Sequence, residues 1–305
     1  MMVTPNSLYP GARVALLCAS SAVPEDKLEP SIAAVKALGL EPVVYPSCYY
    51  VNRHGYFAAD DGQRSKDIQD AFADPSIQGI LCIRGGYGAG RLLPFLNWRD
   101  IARHPKIFCG YSDVTALLIA LNQCCHMVAY QTPMPSTEYY QPVDEFTMTY
   151  LRRALFGALT GPMPMGDGVE TLSSGKARGT LCGGNLSLVR DSLGTPWEID
   201  TRGKLLFLED IGEKTYRIDD MLTQLRNAGK FDDCAGVLFG AWTDCPPEDP
   251  QRTLEIPEII REVVLPAGKP VLAGLACGHV LPTMSLPMGA EAVMDADNKT
   301  LEVLA

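Results

Sequence analysis

A serine lies at a sharp turn in the sequence KIFCGYSDVTALL, residues 106 to 118. Lys106 to Cys109 is rich in strand formers, and apolar residues recur at helical spacing from Asp113 onward, so Ser112 falls at a predicted strand-to-helix junction. Such a turn exposes a serine hydroxyl above the end of a sheet, and the first amides of the following helix can stabilise an oxyanion. Serine and aspartate are also common helix N-caps. The turn is therefore either a nucleophile site or a helix cap.

A serine nucleophile at neutral pH needs a base, usually a histidine held by a carboxylate. Among the four histidines, His279 follows the apolar run Val271 to Cys277, near the end of a predicted strand. Glu209 directly follows the apolar run Leu205 to Leu208, at the end of another predicted strand. Ser112, Glu209 and His279 at three strand ends make a coherent triad, although a packed imidazole and a solvated acid would give the same pattern. The G-x-S-x-G signature of α/β-hydrolases is not met, because valine occupies the second glycine position.

A glycine-rich loop, Arg84-Gly85-Gly86-Tyr87-Gly88-Ala89-Gly90, follows the buried run Ile77 to Ile83. It lacks the lysine and hydroxyl of a P-loop, since Arg91-Leu92 follows, and it lacks the third glycine of a dinucleotide fingerprint. Nucleotide binding is therefore disfavoured. Either the loop is a tight turn with positive φ, or its backbone approaches a reacting carbonyl, and the two interpretations are compatible.

A second possible site, Cys124-Cys125-His126, could suggest a metal ion. Adjacent cysteines at the end of an apolar helix have poor tetrahedral spacing, and no second ligand pair follows. We expect no metal site.

The elements that must carry the serine and the glycine loop alternate between strand and helix in the first half of the chain. This order predicts a parallel sheet with right-handed crossovers, whose ligands lie beyond the carboxyl ends of the strands. The predicted strands are Arg13 to Ala19, Glu41 to Tyr45, Ile77 to Ile83 and Lys106 to Cys109, and the helices include Glu25 to Leu38, Gly62 to Ala73 and Arg91 to Leu96.

The composition changes near residue 157, where a segment dense in Gly, Pro, Ser and Thr predicts a linker. Beyond it lie mostly strand-like runs, a helix over Ile218 to Ala228, and a hairpin over Ala290 to Leu304. We therefore predict an α/β protein: an N-terminal parallel-sheet sandwich domain with helices on both faces over 1–157, a linker over 158–175, and a C-terminal strand-rich mixed α/β domain over 176–305.

The bulk composition is that of a globular protein with a sizeable core, 305 residues of which 47% are hydrophobic. The formal charge of −10 has no compensating basic run, which disfavours nucleic acid and anionic membrane surfaces as partners. No apolar run approaches the length of a membrane span, and the N-terminus lacks the features of a signal peptide. We expect a soluble protein that acts on a small substrate.

Five segments, in order, resemble the serine LD-carboxypeptidases, the muramoyltetrapeptide carboxypeptidase family, over almost the full length. They are Arg84-Gly85-Gly86-Tyr87-Gly88, Gly110-Tyr111-Ser112-Asp113, Gly179 to Leu186, Leu208-Glu209-Asp210 with Tyr216 to Leu222, and Gly278-His279 ahead of Leu286-Pro287-Met288-Gly289. The resemblance implies Ser112 as nucleophile, His279 as general base and Glu209 as its orienting acid. It also implies an oxyanion hole formed by the backbone amides of Gly86 and Asp113.

The function that the resemblance implies is removal of the terminal D-alanine from murein tetrapeptides, free or sugar-linked, by a cytoplasmic enzyme of peptidoglycan recycling. We expect neither a metal nor an organic cofactor, and we expect the protein to form a homodimer. Arg84 and Arg217 are candidates to bind the substrate's terminal carboxylate, although either could be a structural ion-pair partner, and Tyr87 is a candidate substrate contact. Two alternatives stay open: a related immunity peptidase that cleaves peptidyl-nucleotide antibiotics, and a non-enzymatic small-ligand-binding protein in which Ser112 only caps a helix.

Overall fold

Fourteen strands and nine α-helices are present in the residues that the computed structural model describes, 2–51, 54–157, 159–249 and 252–304. The strands are β1 (Arg13–Leu17), β2 (Glu41–Val44), β3 (Gly79–Cys82), β4 (Ile107–Gly110), β5 (Ala129–Gln131), β6 (Gly161–Pro162), β7 (Glu170–Ser173), β8 (Lys176–Asn185), β9 (Leu205–Ile211), β10 (Gly236–Thr243), β11 (Val271–Ala273), β12 (Leu286–Met288), β13 (Glu291–Asp295) and β14 (Thr300–Val303). The helices are α1 (Glu25–Ala37), α2 (Asp61–Ala73), α3 (Trp98–Ile101), α4 (Thr115–Cys125), α5 (Glu145–Phe156), α6 (Leu186–Asp191), α7 (Thr215–Asn227), α8 (Lys230–Asp233) and α9 (Ile256–Val263).

The chain divides into two compact units. One comprises Met1–Leu159 and Ser285–Gly289, and the other comprises Thr160–Met284 and Ala290–Ala305. The first unit contains a six-stranded sheet in the order β12-β5-β4-β3-β1-β2, and the second contains an eight-stranded sheet in the order β6-β14-β13-β8-β9-β10-β11-β7.

Five strands of the first sheet, β1 to β5, run parallel, and β12 joins the edge antiparallel to β5. Every residue of β3 and β4 is buried, as expected for parallel strands covered on both faces. Since β4, β3 and β1 are neighbours, the segments that follow them emerge at the same edge of the sheet. These segments are Ser20-Ser21, the glycine-rich loop and the Ser112 turn.

The second sheet has a parallel centre, β8 to β11, with antiparallel strands on both sides. The predicted terminal hairpin is present as β13 and β14, with Asp295 opposite Thr300. The parallel first sheet and the mixed second sheet together confirm the predicted fold class.

Two predicted strand-end positions are wrong. Glu209 lies inside β9 and is completely buried, and this is possible because a polar partner binds it. His279 lies beyond the end of β11, because that strand already ends at Ala273. The chain nevertheless continues beside β10, since the Ala241 N–H donates a hydrogen bond of 3.0 Å to the Cys277 carbonyl. The helix predicted over Arg91 to Leu96 is a 3₁₀ helix over Ala89–Phe95.

The predicted linker begins at Ala158, which lies outside the described residues, and its remainder contains β6 and β7. These strands pair with β14 and β11, so this part of the linker belongs to a sheet. Local composition could not indicate pairing with strands so remote in sequence. The division into domains at 157 and 175 stays a prediction. Within the described ranges, no helix has the length and apolar character needed to cross a membrane.

Candidate active site

Ser112 is the first residue of a 3₁₀ turn, Ser112–Val114, that connects β4 to α4. Its φ is 62°, in the left-handed region that non-glycine residues rarely adopt and that costs on the order of 1–3 kcal/mol. The N-cap of the turn is Tyr111, and no side-chain hydrogen bond caps it. Ser112 therefore does not cap the helix, and the strained strand-to-helix turn is the geometry that exposes a serine oxygen.

The glycine-rich loop lies directly against this serine. A Cβ placed on Gly85 would be 2.9 Å from the Ser112 Cβ and 3.1 Å from its Oγ, a contact that real side chains do not make. Glycine at position 85 therefore lets the loop backbone approach the hydroxyl. Gly86 and Gly88 follow with φ of 115° and 119°, which also favours glycine.

Ser21 holds the loop on both sides of Gly86. Its N–H donates to the Gly85 carbonyl at 3.3 Å, and its hydroxyl accepts from the Tyr87 N–H at 3.1 Å. A Cβ on Gly86 would lie 2.6 Å from the Ser21 Cβ, so the two segments are in close contact. Within the described part of the chain, the Gly86 amide donates no hydrogen bond, so it is available to a ligand.

Asp113 contributes two different groups. Its amide lies in the first turn after β4, where backbone N–H groups have no intrahelical acceptor. Its carboxylate is 3% exposed and accepts from the Ser20 hydroxyl at 2.5 Å and from the Ala89 N–H at 2.8 Å. Burial raises the pKa of Asp113, whereas the Ser20 hydroxyl and the nearby Ala89 and Gly88 amides oppose that rise.

In the second unit, the buried Glu209 and the partly buried His279 form an acid–imidazole pair. The Glu209 Oε2 lies 2.7 Å from the His279 Nδ1 and also accepts from the His279 backbone N–H at 3.2 Å. The imidazole is 11% exposed. Because a carboxylate only accepts, Nδ1 carries the proton, which makes Nε2 the basic nitrogen of the ring.

Two neighbours permit and hold this pair. A Cβ on Gly278, whose φ is 109°, would lie 2.8 Å from the Glu209 Cγ, so glycine is needed for the carboxylate to approach. The Thr243 hydroxyl donates to the His279 carbonyl at 2.6 Å. The backbone of His279 is thus bound at its N–H by Glu209 and at its carbonyl by Thr243.

The motif Gly179 to Leu186 supports the strand that carries Glu209. Asn185 stands opposite Glu209 in the β8–β9 register, and its amide donates to Asp210 at 2.8 Å. The Asn185 side chain also accepts from the Leu188 N–H and caps α6. This motif therefore positions β9 against β8.

The three predicted substrate-binding residues have different surroundings. Arg84 is half-buried beside the loop and donates to the Ala22 carbonyl at 3.0 Å. Tyr87 is 56% exposed and stacks on Phe57 with ring centroids 5.7 Å apart. Arg217 is half-exposed on α7 and pairs with Glu213 at 3.0 Å, as the structural alternative predicts.

Sequence reasoning missed Ser20, Ser21 and Thr243. The available signal was their position, since polar residues that directly follow or end a predicted apolar strand of a parallel sheet lie at the ligand-binding edge.

The Cys124-Cys125-His126 cluster has its histidine in the left-handed C-cap of α4, with φ of 48°. In the four described ranges, no three His, Cys, Asp or Glu side chains are grouped as metal ligands.

Known relatives match over most or almost all of the chain. A probable murein peptide carboxypeptidase of Bacillus subtilis (strain 168) is 37% identical over 314 residues, 99% of this chain and 94% of the relative. The microcin C7 self-immunity protein MccF of Escherichia coli is 27% identical over 271 residues, 79% of this chain and 78% of the relative. The crystal structure of muramoyltetrapeptide carboxypeptidase from Oxalobacter formigenes matches with a TM-score of 0.82 and 27% identity, covering 96% of this chain and 99% of that one.

Two family models match in consecutive order. The LD-carboxypeptidase N-terminal domain matches residues 14–132, which include the Ser112 turn, and the LD-carboxypeptidase C-terminal domain matches residues 178–294, which include the Glu209–His279 pair. With both models matched and a relative 37% identical over almost its entire length, the chain belongs to the LD-carboxypeptidase family.

Proposed function

We propose that this protein is a serine LD-carboxypeptidase that removes the C-terminal D-alanine from murein tetrapeptides, free or sugar-linked, in cytoplasmic peptidoglycan recycling. The names of the Bacillus and Oxalobacter relatives support the substrate class. The observation that carries the chemistry is the 2.7 Å contact between Glu209 Oε2 and His279 Nδ1, which holds the ring proton at Nδ1 and makes Nε2 the basic nitrogen. The strained turn at Ser112 supports its role as nucleophile.

In this mechanism, His279 Nε2 accepts the Ser112 proton as the Ser112 oxygen attacks the scissile carbonyl, and Glu209 stabilises the imidazolium that forms. The amides of Gly86 and Asp113 donate to the oxyanion, a type of contact whose loss typically costs about 3–4 kcal/mol of barrier. The imidazolium then protonates the departing D-alanine nitrogen, leaving an acyl-enzyme. Water, deprotonated by His279, hydrolyses that ester and regenerates the Ser112 hydroxyl.

A carboxypeptidase must recognise a free terminal carboxylate, and we propose Arg84 for this role, with Tyr87 as a further substrate contact. Arg84 is the first residue of the loop, and its five N–H donors exceed the two that bind the Gly85 and Ala22 carbonyls, whereas Arg217 is paired with Glu213. Amidation of the substrate's terminal carboxylate should nearly abolish cleavage. Arg84→Ala should raise KM at least tenfold on the free acid, and Arg217→Ala serves as the matched control with unchanged KM. Equal rates on acid and amide would refute carboxylate recognition.

The direct test incubates the purified chain with a murein tetrapeptide and looks by mass spectrometry for tripeptide plus D-alanine. Ser112→Ala should be inactive in the same assay. If the protein only binds ligands, the parent chain and Ser112→Ala will both leave the tetrapeptide intact and will bind it equally well. Light scattering tests the proposed homodimer, which a monomeric mass would exclude.

A second candidate function is suggested by the similarity to the MccF self-immunity protein. It is cleavage of a peptidyl-nucleotide antibiotic by the same residues. Competition of the two substrates in one reaction distinguishes the candidates, because the preferred substrate has the higher kcat/KM.

A further inference from the structure

The Asp113 carboxylate connects its own turn to two other segments of the first unit, and all three follow neighbouring strands. Ser20 follows β1, Gly88 and Ala89 belong to the loop after β3, and Asp113 itself lies in the turn after β4. Its Oδ2 alone accepts both the Ser20 hydroxyl at 2.5 Å and the Ala89 N–H at 2.8 Å. One buried oxygen therefore links the glycine-rich loop, the end of β1 and the serine turn.

We propose that the Asp113 side chain is a positioning group that sets the distance between the Gly86 amide and the Asp113 amide. The inference rests on the proposed function, in which both amides bind the oxyanion. It assigns a role to the carboxylate of Asp113, which is separate from the role of its backbone.

The geometry explains why such a link is needed. Two amides from different segments must both reach one oxygen at about 2.7–3.1 Å, and a misplacement of about 1 Å can cost about 100-fold in rate. Within the described residues the Gly86 amide has no acceptor to hold it, so its position depends on its neighbours. Ser21 binds the loop on the β1 side through Tyr87 N–H, and Asp113 binds it on the turn side through Ala89 N–H.

Burial raises the pKa of Asp113, and the positive charge of a buried arginine opposes part of that rise. Arg64 is completely buried, donates from Nη1 to the Ala19 carbonyl at 2.6 Å, and pairs through Nη2 with Asp61 at 2.6 Å. Its positive charge favours the ionised carboxylate of Asp113. Since Oδ2 accepts from both Ser20 and Ala89, a carboxamide keeps both contacts through its single oxygen, but as a neutral acceptor it binds each donor more weakly than a carboxylate does.

The test is Asp113→Asn in the full chain, assayed on a murein tetrapeptide. We expect kcat to fall about 10- to 100-fold with KM unchanged within about threefold, since the amides act on the oxyanion and not on the bound substrate. A tetrapeptide analogue with a phosphonate at the scissile carbonyl should lose affinity by the same factor as kcat/KM. Tetrapeptide binding in a Ser112→Ala background should not change.

Asp67→Asn is the matched control. Asp67 is 2% exposed in the same unit and accepts from the Ser47 N–H and the Gln63 amide, both at 2.7 Å, and neither of these two donors belongs to the glycine-rich loop. This variant should lower Tm with kcat unchanged. If Asp113→Asn does not fold, Ser20→Ala, which removes one donor, should still lower kcat about three- to tenfold at constant KM.

The inference is overturned if a folded Asp113→Asn or Ser20→Ala enzyme keeps its kcat, or if Asp67→Asn loses as much kcat as Asp113→Asn. It is also overturned if the whole loss is in KM, or if the phosphonate binds as tightly as to the parent chain. Failure of the proposed function is seen separately, as an uncleaved tetrapeptide with the parent chain or full activity in Ser112→Ala, and it would remove the inference as well.

Discussion

Glu209→Gln separates the charge of the acid from its geometry. In the structure, only Oε2 contacts His279, through Nδ1 at 2.7 Å and the backbone N–H at 3.2 Å. Oε1 is buried and has no hydrogen-bond partner among the described residues. Glutamine can therefore place its oxygen at Oε2 and its NH₂ at Oε1, which keeps Nδ1 protonated and the imidazole in place. The substitution removes the negative charge and little else.

The size of the effect follows from that charge. With Nδ1 and Oε2 2.7 Å apart, the centres of charge in the carboxylate–imidazolium pair are about 4 Å apart, which corresponds to about 4 kcal/mol at an effective dielectric constant of 20. A neutral hydrogen bond retains about 1 kcal/mol of stabilisation. The net loss of about 3–4 kcal/mol predicts a fall in kcat of about 10²- to 10³-fold, since each 1.4 kcal/mol is tenfold. Burying an unpaired NH₂ at Oε1 should also lower the stability by about 1–3 kcal/mol.

The assay is kcat and kcat/KM on the tetrapeptide across pH, with thermal melts alongside. The acidic limb of kcat/KM should move to lower pH in Glu209→Gln, because the imidazolium has lost its countercharge. Proton NMR of the ring should still show a hydrogen-bonded Nδ1 proton. A fully active variant with an unchanged pH profile, or a variant with a shifted tautomer, would refute the reasoning.

Three further predictions concern the same groups. Ser112→Ala and His279→Ala should each lower kcat by several orders of magnitude, and the double variant should lose little more; multiplicative losses would show that the two residues do not act as a unit. Gly278→Ala should lower both activity and Tm, since its Cβ would lie 2.8 Å from the Glu209 Cγ at a φ of 109°, and wild-type kinetics and stability together would contradict this. Activity should survive exhaustive treatment with EDTA, because serine attack with a histidine base and amide donors needs no Lewis acid; loss with EDTA and recovery with zinc would overturn the mechanism.

Much of the first sheet was predictable because its signals are local. Apolar runs such as those of β3 and β4 predict buried parallel strands, and glycine-rich or polar residues after them predict a ligand edge. Ser112 could be identified for the same reason, since a strand-to-helix change surrounds it within a few residues. The strands β6 and β7 could not be predicted, because their pairing partners lie far away in the sequence.

The sequence by itself determined the candidate residues, and tertiary structure decided what each side chain contacts. Glu209 reads as an acid at the end of a strand, but it lies buried inside β9, and its 2.7 Å contact joins residues 70 positions apart. Asp113 is a plausible N-cap by sequence, yet its carboxylate binds Ser20 and the loop after β3. Residue types and apolar spacing are set along the chain, whereas hydrogen bonds between neighbouring strand ends exist only after the sheet has formed.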